Sequence, residues 1–98
     1  MIDPAVLSYL EPLVAKGMHT LETGTGISTV LFALRGADHI SITPISGEVE
    51  LIKRYCQKHS ISLQQVEFII GRSEDVLPRL DHQYLDMVLI DGGHGFPN

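Results

Sequence analysis

The chain has 98 residues, 44% of them apolar, with a formal net charge of −5 and a pI of about 5.4. That acidity argues against a nucleic-acid partner held through its phosphates, which needs clustered lysine and arginine. No run approaches the ~20 apolar residues of a membrane span, and Met1-Ile2-Asp3-Pro4 lacks the basic start and apolar stretch of a signal peptide. The spacing of Leu7, Leu10, Leu13 and Val14 predicts a helix over 4–16. Asp3 stands where an N-cap belongs, Pro4 suits the first helical position and Gly17 the exit. Residues 18–22 are too few for another helix and read as a first strand. A helix over 28–34 is opened by a glycine turn and closed by Gly36. A second strand over 39–43 is stopped by Pro44.

Helical spacing returns over 47–59, with Val49, Ile52 and Cys56 on one side and Glu48, Glu50, Lys53 and Lys58 mostly elsewhere. Cys56 has no internal disulfide partner and fits a half-buried helix position in a reducing, cytoplasmic compartment. A third strand over 66–70 ends at Gly71. Ser73 stands as the N-cap of a short helix, with Glu74 and Asp75 favourable in its first turn, and Pro78 limits its regularity. A fourth strand over 85–90 carries the unbroken apolar run Met87-Val88-Leu89-Ile90, as expected of a strand covered on both faces.

Strands alternating with helices predict an α/β fold with a parallel sheet. Right-handed crossovers give the strand order 3-2-1-4. No repeat, low-complexity tract or linker interrupts the chain, so residues 1–98 read as one domain. Ligands of such sheets bind beyond the carboxyl ends of the strands, where the order reverses. Four loops lie there: 22–28, 43–46, 71–74 and 91–94.

The first loop, Glu22-Thr23-Gly24-Thr25-Gly26-Ile27-Ser28, puts an acid two residues before a Gly-x-Gly pair. Glycines between a strand and a helix let backbone N–H groups approach a ligand closely. A carboxylate at Glu22 would repel a pyrophosphate and attract an ammonium or sulfonium group. The segment resembles motif I of the Rossmann-like S-adenosylmethionine-dependent methyltransferases. The third loop, Gly71-Arg72-Ser73-Glu74, resembles the corresponding segment of catechol-type O-methyltransferases. The fourth, Asp91-Gly92-Gly93-His94, resembles the Asp-Gly-x-His segment of the type 24 group.

The resemblance implies a Rossmann-like fold truncated to the N-terminal half of a seven-stranded methyltransferase sheet. It implies S-adenosylmethionine as cofactor and a small-molecule hydroxyl as methyl acceptor. By the same match Glu22, Gly24 and Gly26 shape the methionine end, Thr23 and Ser28 are further cofactor-binding residues, Ser73 and Glu74 face adenine, and Asp91 faces the reacting end. Asp91 also stands where the catechol-type enzymes place a divalent-metal carboxylate, although their further ligands come from later strands. Thr43 occupies the position where an acid normally bonds the ribose, and Glu48 is the nearest acid able to reach back. No catalytic base can be named from the chain.

Two other readings stay open. An NAD-binding Rossmann half needs a glycine where Thr29 stands, and Glu22 sits badly near a pyrophosphate. A non-catalytic fragment acting only as a binding or interaction module fits the same elements. The fourth strand, an edge in this order with Asp86 as its sole charge, predicts self-association.

Overall fold

A computed structural model describes residues 4–79 and 85–90. The chain begins with α1 (Pro4–Leu10), which passes into a 3-10 turn over Glu11–Leu13. The expected longer helix stops early because Pro12 has no N–H to donate and its ring crowds the preceding turn. Asp3, the expected N-cap, lies outside the described residues. Then follow β1 (His19–Thr23), α2 (Ile27–Arg35), β2 (Asp38–Thr43), α3 (Ser46–Lys58) and β3 (Val66–Ile70). A single turn, α4 (Ser73–Val76), and a 3-10 turn over Leu77–Arg79 precede β4 (Met87–Ile90). Ser73 is the first helical residue of α4 and Arg72 its N-cap, with no side-chain cap, so the expected Ser73 cap is not formed.

All strands are parallel, in the order β3-β2-β1-β4. This is the order that right-handed crossovers require of the β-α alternation. Gly36 closes α2 with φ +79°, and the Ala37 N–H reaches back to the Phe32 carbonyl. Only a residue without Cβ takes that conformation at low cost.

Register fixes which side chains share a face. Thr20 and Glu22 of β1 stand beside His39 and Ser41 of β2, on the face that α2 covers. Val14, Phe32 and Ala37 form an apolar cluster against which Met87 and Leu89 pack. Phe32 and Leu21 are wholly buried, and burial of such a side chain stabilises by about 1.5–3 kcal/mol. Cys56 is buried on α3, and loss of solvation raises its thiol pKa, which keeps it protonated and unreactive.

The β4 run departs from the expectation of two covered faces. Its residues alternate, with Met87 and Leu89 half-buried and Val88 and Ile90 49% and 63% exposed. That second face is only partly covered by the described residues. No described helix is long and apolar enough to cross a membrane.

Candidate functional site

The carboxyl ends of β1, β2 and β3 meet in one place because pairing continues past the strands. The Gly24 N–H donates to the Ile42 carbonyl at 2.6 Å, and the Gly71 N–H to the Thr43 carbonyl at 2.8 Å. These bonds set the glycine turn beside the second and third loops. A cleft of about 70 Å³ opens between them, lined by Thr23, Gly24, Ile42, Pro44, Arg72, Ser73 and Glu74. Whole small-molecule sites need roughly 300 Å³ or more, so these residues form part of one. A larger cavity of about 340 Å³ lies among His19, Asp38, Glu67 and Leu85. It opens at the amino ends of the strands, away from the end where such sheets hold ligands.

The turn is pinned from behind. Ser41 Oγ donates to the Gly24 carbonyl at 3.1 Å, so Thr25 Oγ1 must donate to Ser41 Oγ, 2.7 Å away. Gly24 has φ +97°, which explains a glycine there. Gly26 is extended, and its N–H donates to Thr29 Oγ1 at 3.1 Å. Space on its other side is open, since a Cβ built there meets nothing within 4 Å. The N–H groups of Ile27 and Ser28 open α2 and have no intrahelical acceptor.

Glu22 does not face the cleft. Its side chain is 1% exposed and points under α2. The carboxylate accepts from Ser28 Oγ at 2.5 Å, from Thr29 Oγ1, and faces His39 Nε2 at 2.8 Å. Direct attraction of a cationic ligand, or repulsion of a pyrophosphate, therefore is not what this carboxylate does. Ser28 and Thr29, placed one position apart at the helix start, take it inward. Ser28 likewise offers the cleft side only its backbone.

Thr23 behaves differently. It is 4% exposed and lines the cleft, and its Oγ1 is the one buried side-chain polar atom without a partner among the described residues. A buried hydroxyl left unpaired costs about 1–3 kcal/mol. A ligand atom that bonds it removes that cost.

Thr43 is not aimed at a ligand. Its Oγ1 donates to Glu48 Oε1 at 2.6 Å and accepts the Ile45 N–H at 3.2 Å, in a position only 1% exposed. Glu48 thus reaches back to the strand end, but to secure the second loop. Thr43→Asp is expected to destabilise the chain by about 1–2 kcal/mol, because it exchanges that bond for a like charge. Urea unfolding of the variant measures this, and unchanged stability would place Glu48 elsewhere.

Ser73 and Glu74 line the cleft, and Arg72 joins them. Arg72 Nη2 lies 2.8 Å from Glu74 Oε2 in an exposed pair. A backbone hydrogen bond at Glu74, and then the Arg72 charge, hold the Glu74 carboxyl below its ordinary pKa. The third-loop resemblance assigns no role to Arg72, although its place beside Ser73 at a strand end is a usable signal. Asp91 and His94, and with them the metal expectation, lie outside the described residues. Among the described residues no three His, Cys, Asp or Glu side chains stand together to hold a metal.

The same architecture recurs in solved structures, methyltransferases among them. The chain is similar to the O-methyltransferase TomG from Streptomyces achromogenes, involved in tomaymycin synthesis and solved in complex with SAM. The TM-score is 0.76 at 23% identity, over 93% of this chain and 45% of TomG. Cofactor-bound Rv0187 from MTB gives 0.77 at 23% identity, over 93% and 44%. The C-terminal domain of precorrin-6Y C5,15-methyltransferase from Rhodobacter capsulatus gives 0.70 at 19% identity, over 100% and 52%. The chain therefore spans about half the length of these structures, and identities this low establish a shared fold. No protein-family model matches the sequence, and no curated protein does.

Proposed function

We propose that residues 1–98 form the cofactor-binding half of an S-adenosylmethionine-dependent methyltransferase acting on a small-molecule hydroxyl. The observation that carries this reading is the unpaired Thr23 hydroxyl, buried in a cleft at the strand ends. The open space over Gly26 and the N–H groups at the start of α2, which have no intrahelical acceptor, support it. Bound there, the cofactor supplies an electrophilic methyl group on sulfonium sulfur. Transfer needs chiefly alignment and exclusion of water. In this chain the rigid turn at Gly24 and Gly26 supplies alignment, Thr23 a directional bond, and Arg72, Ser73 and Glu74 a polar wall. Asp91 is assigned to the reacting end, and a divalent metal there would belong to the whole enzyme.

Thr23→Val separates ligand binding from folding because the two effects have opposite signs. Removing an unpaired buried hydroxyl is expected to raise stability by about 1 kcal/mol. Affinity for S-adenosylhomocysteine, measured by calorimetry, is expected to fall about tenfold. Unchanged affinity would remove the hydroxyl from the site, and tighter binding of NAD than of S-adenosylhomocysteine would favour the dinucleotide reading. No binding of either would favour the interaction module.

The proposal extends to self-association through β4. In the described sheet β4 pairs only with β1. Asp86, the nearby charge, is engaged on the β1 side, where its Oδ2 accepts the His19 N–H at 2.8 Å. Among the described residues that leaves the apolar outer edge without a guarding charge. Val88→Lys is expected to shift a dimer towards monomer in sedimentation velocity. A wild-type monomer at high micromolar concentration would sink the idea.

A further inference from the structure

We infer that His39 is a positioning residue for the glycine turn, acting through Glu22. Its ring is wholly buried and lies flat against Phe32 of α2, with centroids 4.1 Å apart and planes 12° apart. Stacking on one side and hydrogen bonds at both nitrogens leave the ring one orientation. Nδ1 stands 2.7 Å from Thr20 Oγ1 and Nε2 2.8 Å from Glu22 Oε2. An ionised carboxylate only accepts, so Nε2 carries the proton and donates it. The Thr20 hydroxyl then donates to Nδ1.

The donations run in one direction from there. Glu22 Oε2, held by His39, also accepts from Thr29 Oγ1, and Oε1 accepts from Ser28 Oγ. With its own proton given to Glu22, the Thr29 hydroxyl offers a lone pair to the Gly26 N–H at 3.1 Å. Gly26 is thus fixed from the interior, while its outer side is open. A histidine on β2 sets where the ligand-facing backbone of the first loop lies. Packing alone does not require this residue. An apolar side chain of similar volume would fill the place beside Phe32 without the cost of burying a polar pair.

The binding half of this inference rests on the cofactor reading above, and the turn half does not. The test therefore uses two measurements on the full 98-residue chain. Amide hydrogen exchange follows Gly26 and Thr29 against amides of the β2–β3 ladder, and calorimetry follows S-adenosylhomocysteine. His39→Gln keeps a donor where Nε2 stood, His39→Asn is too short to reach Glu22, and His39→Leu removes the donor.

In His39→Leu the two turn amides are expected to lose about ten- to a hundredfold more protection than the ladder, as for a lost bond to a charged group. His39→Gln is expected to restore them to within a few fold. Ligand affinity is expected to fall and recover in parallel. If His39→Leu does not fold, the contrast of Asn with Gln carries the same comparison. Equal loss of protection across the whole sheet, or a Gln variant as loose as Leu or Asn, would overturn the inference. Loosened turn amides in a chain whose wild type binds no S-adenosylhomocysteine would uphold the positioning role and overturn the cofactor reading.

Discussion

Glu22→Ala is expected to lower the unfolding free energy by about 3–5 kcal/mol, since each buried donor left without its acceptor costs about 1–3 kcal/mol. The substitution strands three groups at once: the Ser28 and Thr29 hydroxyls and the His39 imidazole. All three residues are buried, so bulk water does not reach them to replace the lost acceptor. Small domains hold roughly 5–15 kcal/mol in total, so the variant should unfold at much lower urea than the wild type. Glu22→Gln should fall between the two. It keeps the volume and one acceptor oxygen, but it points an NH2 at groups that themselves donate. Urea titration of the three proteins orders them. A Glu22→Ala midpoint equal to wild type would mean that the carboxylate is not the acceptor for these groups.

The direction of Glu22 is also where sequence reasoning ran out. The strand order was legible, because alternating β and α segments with right-handed crossovers allow few topologies. The glycine turn was legible from two glycines between an apolar strand and a helix. The motif points Glu22 at the ligand, although the sequence also holds a signal to the contrary. Period-two alternation places Thr20 and Glu22 on one face of β1 and His39 and Ser41 on the same face of β2. That face lies under α2 and should be apolar. Four polar residues there imply a buried network with its own partners, and Ser28 and Thr29 stand at the start of the covering helix to supply them.

Two other differences have plain physical causes. Pro12 forbids a regular helix through its own position and shortened α1. The exposure of Val88 and Ile90 on β4 was hidden because an unbroken apolar run reports affinity for cover, not the presence of it. At Thr43 the local bonding was hidden for the opposite reason. Its position matched a ribose acid, but a threonine at a strand end more readily bonds its own loop. The bonds to Glu48 and the Ile45 N–H are local ones.

Gly24→Val and Gly26→Ala are expected both to abolish measurable S-adenosylhomocysteine binding, yet to differ sharply in stability. Gly24 sits at φ +97°, where a β-branched residue is strained by about 1–3 kcal/mol. Its N–H bond to Ile42 would also be disturbed, so Gly24→Val loses stability along with the site. Gly26 is extended, a conformation open to any residue, and an added Cβ meets no protein atom within 4 Å. The alanine variant should therefore unfold within about 0.5 kcal/mol of wild type, as substitutions free of strain or clash do. What the methyl group does occupy is the space through which a ligand approaches the N–H groups opening α2. Loss of affinity with full stability would locate the ligand against Gly26 itself. Retained affinity would show that the glycine serves only the chain's entry into the helix, and the binding site would have to be sought elsewhere along the strand ends.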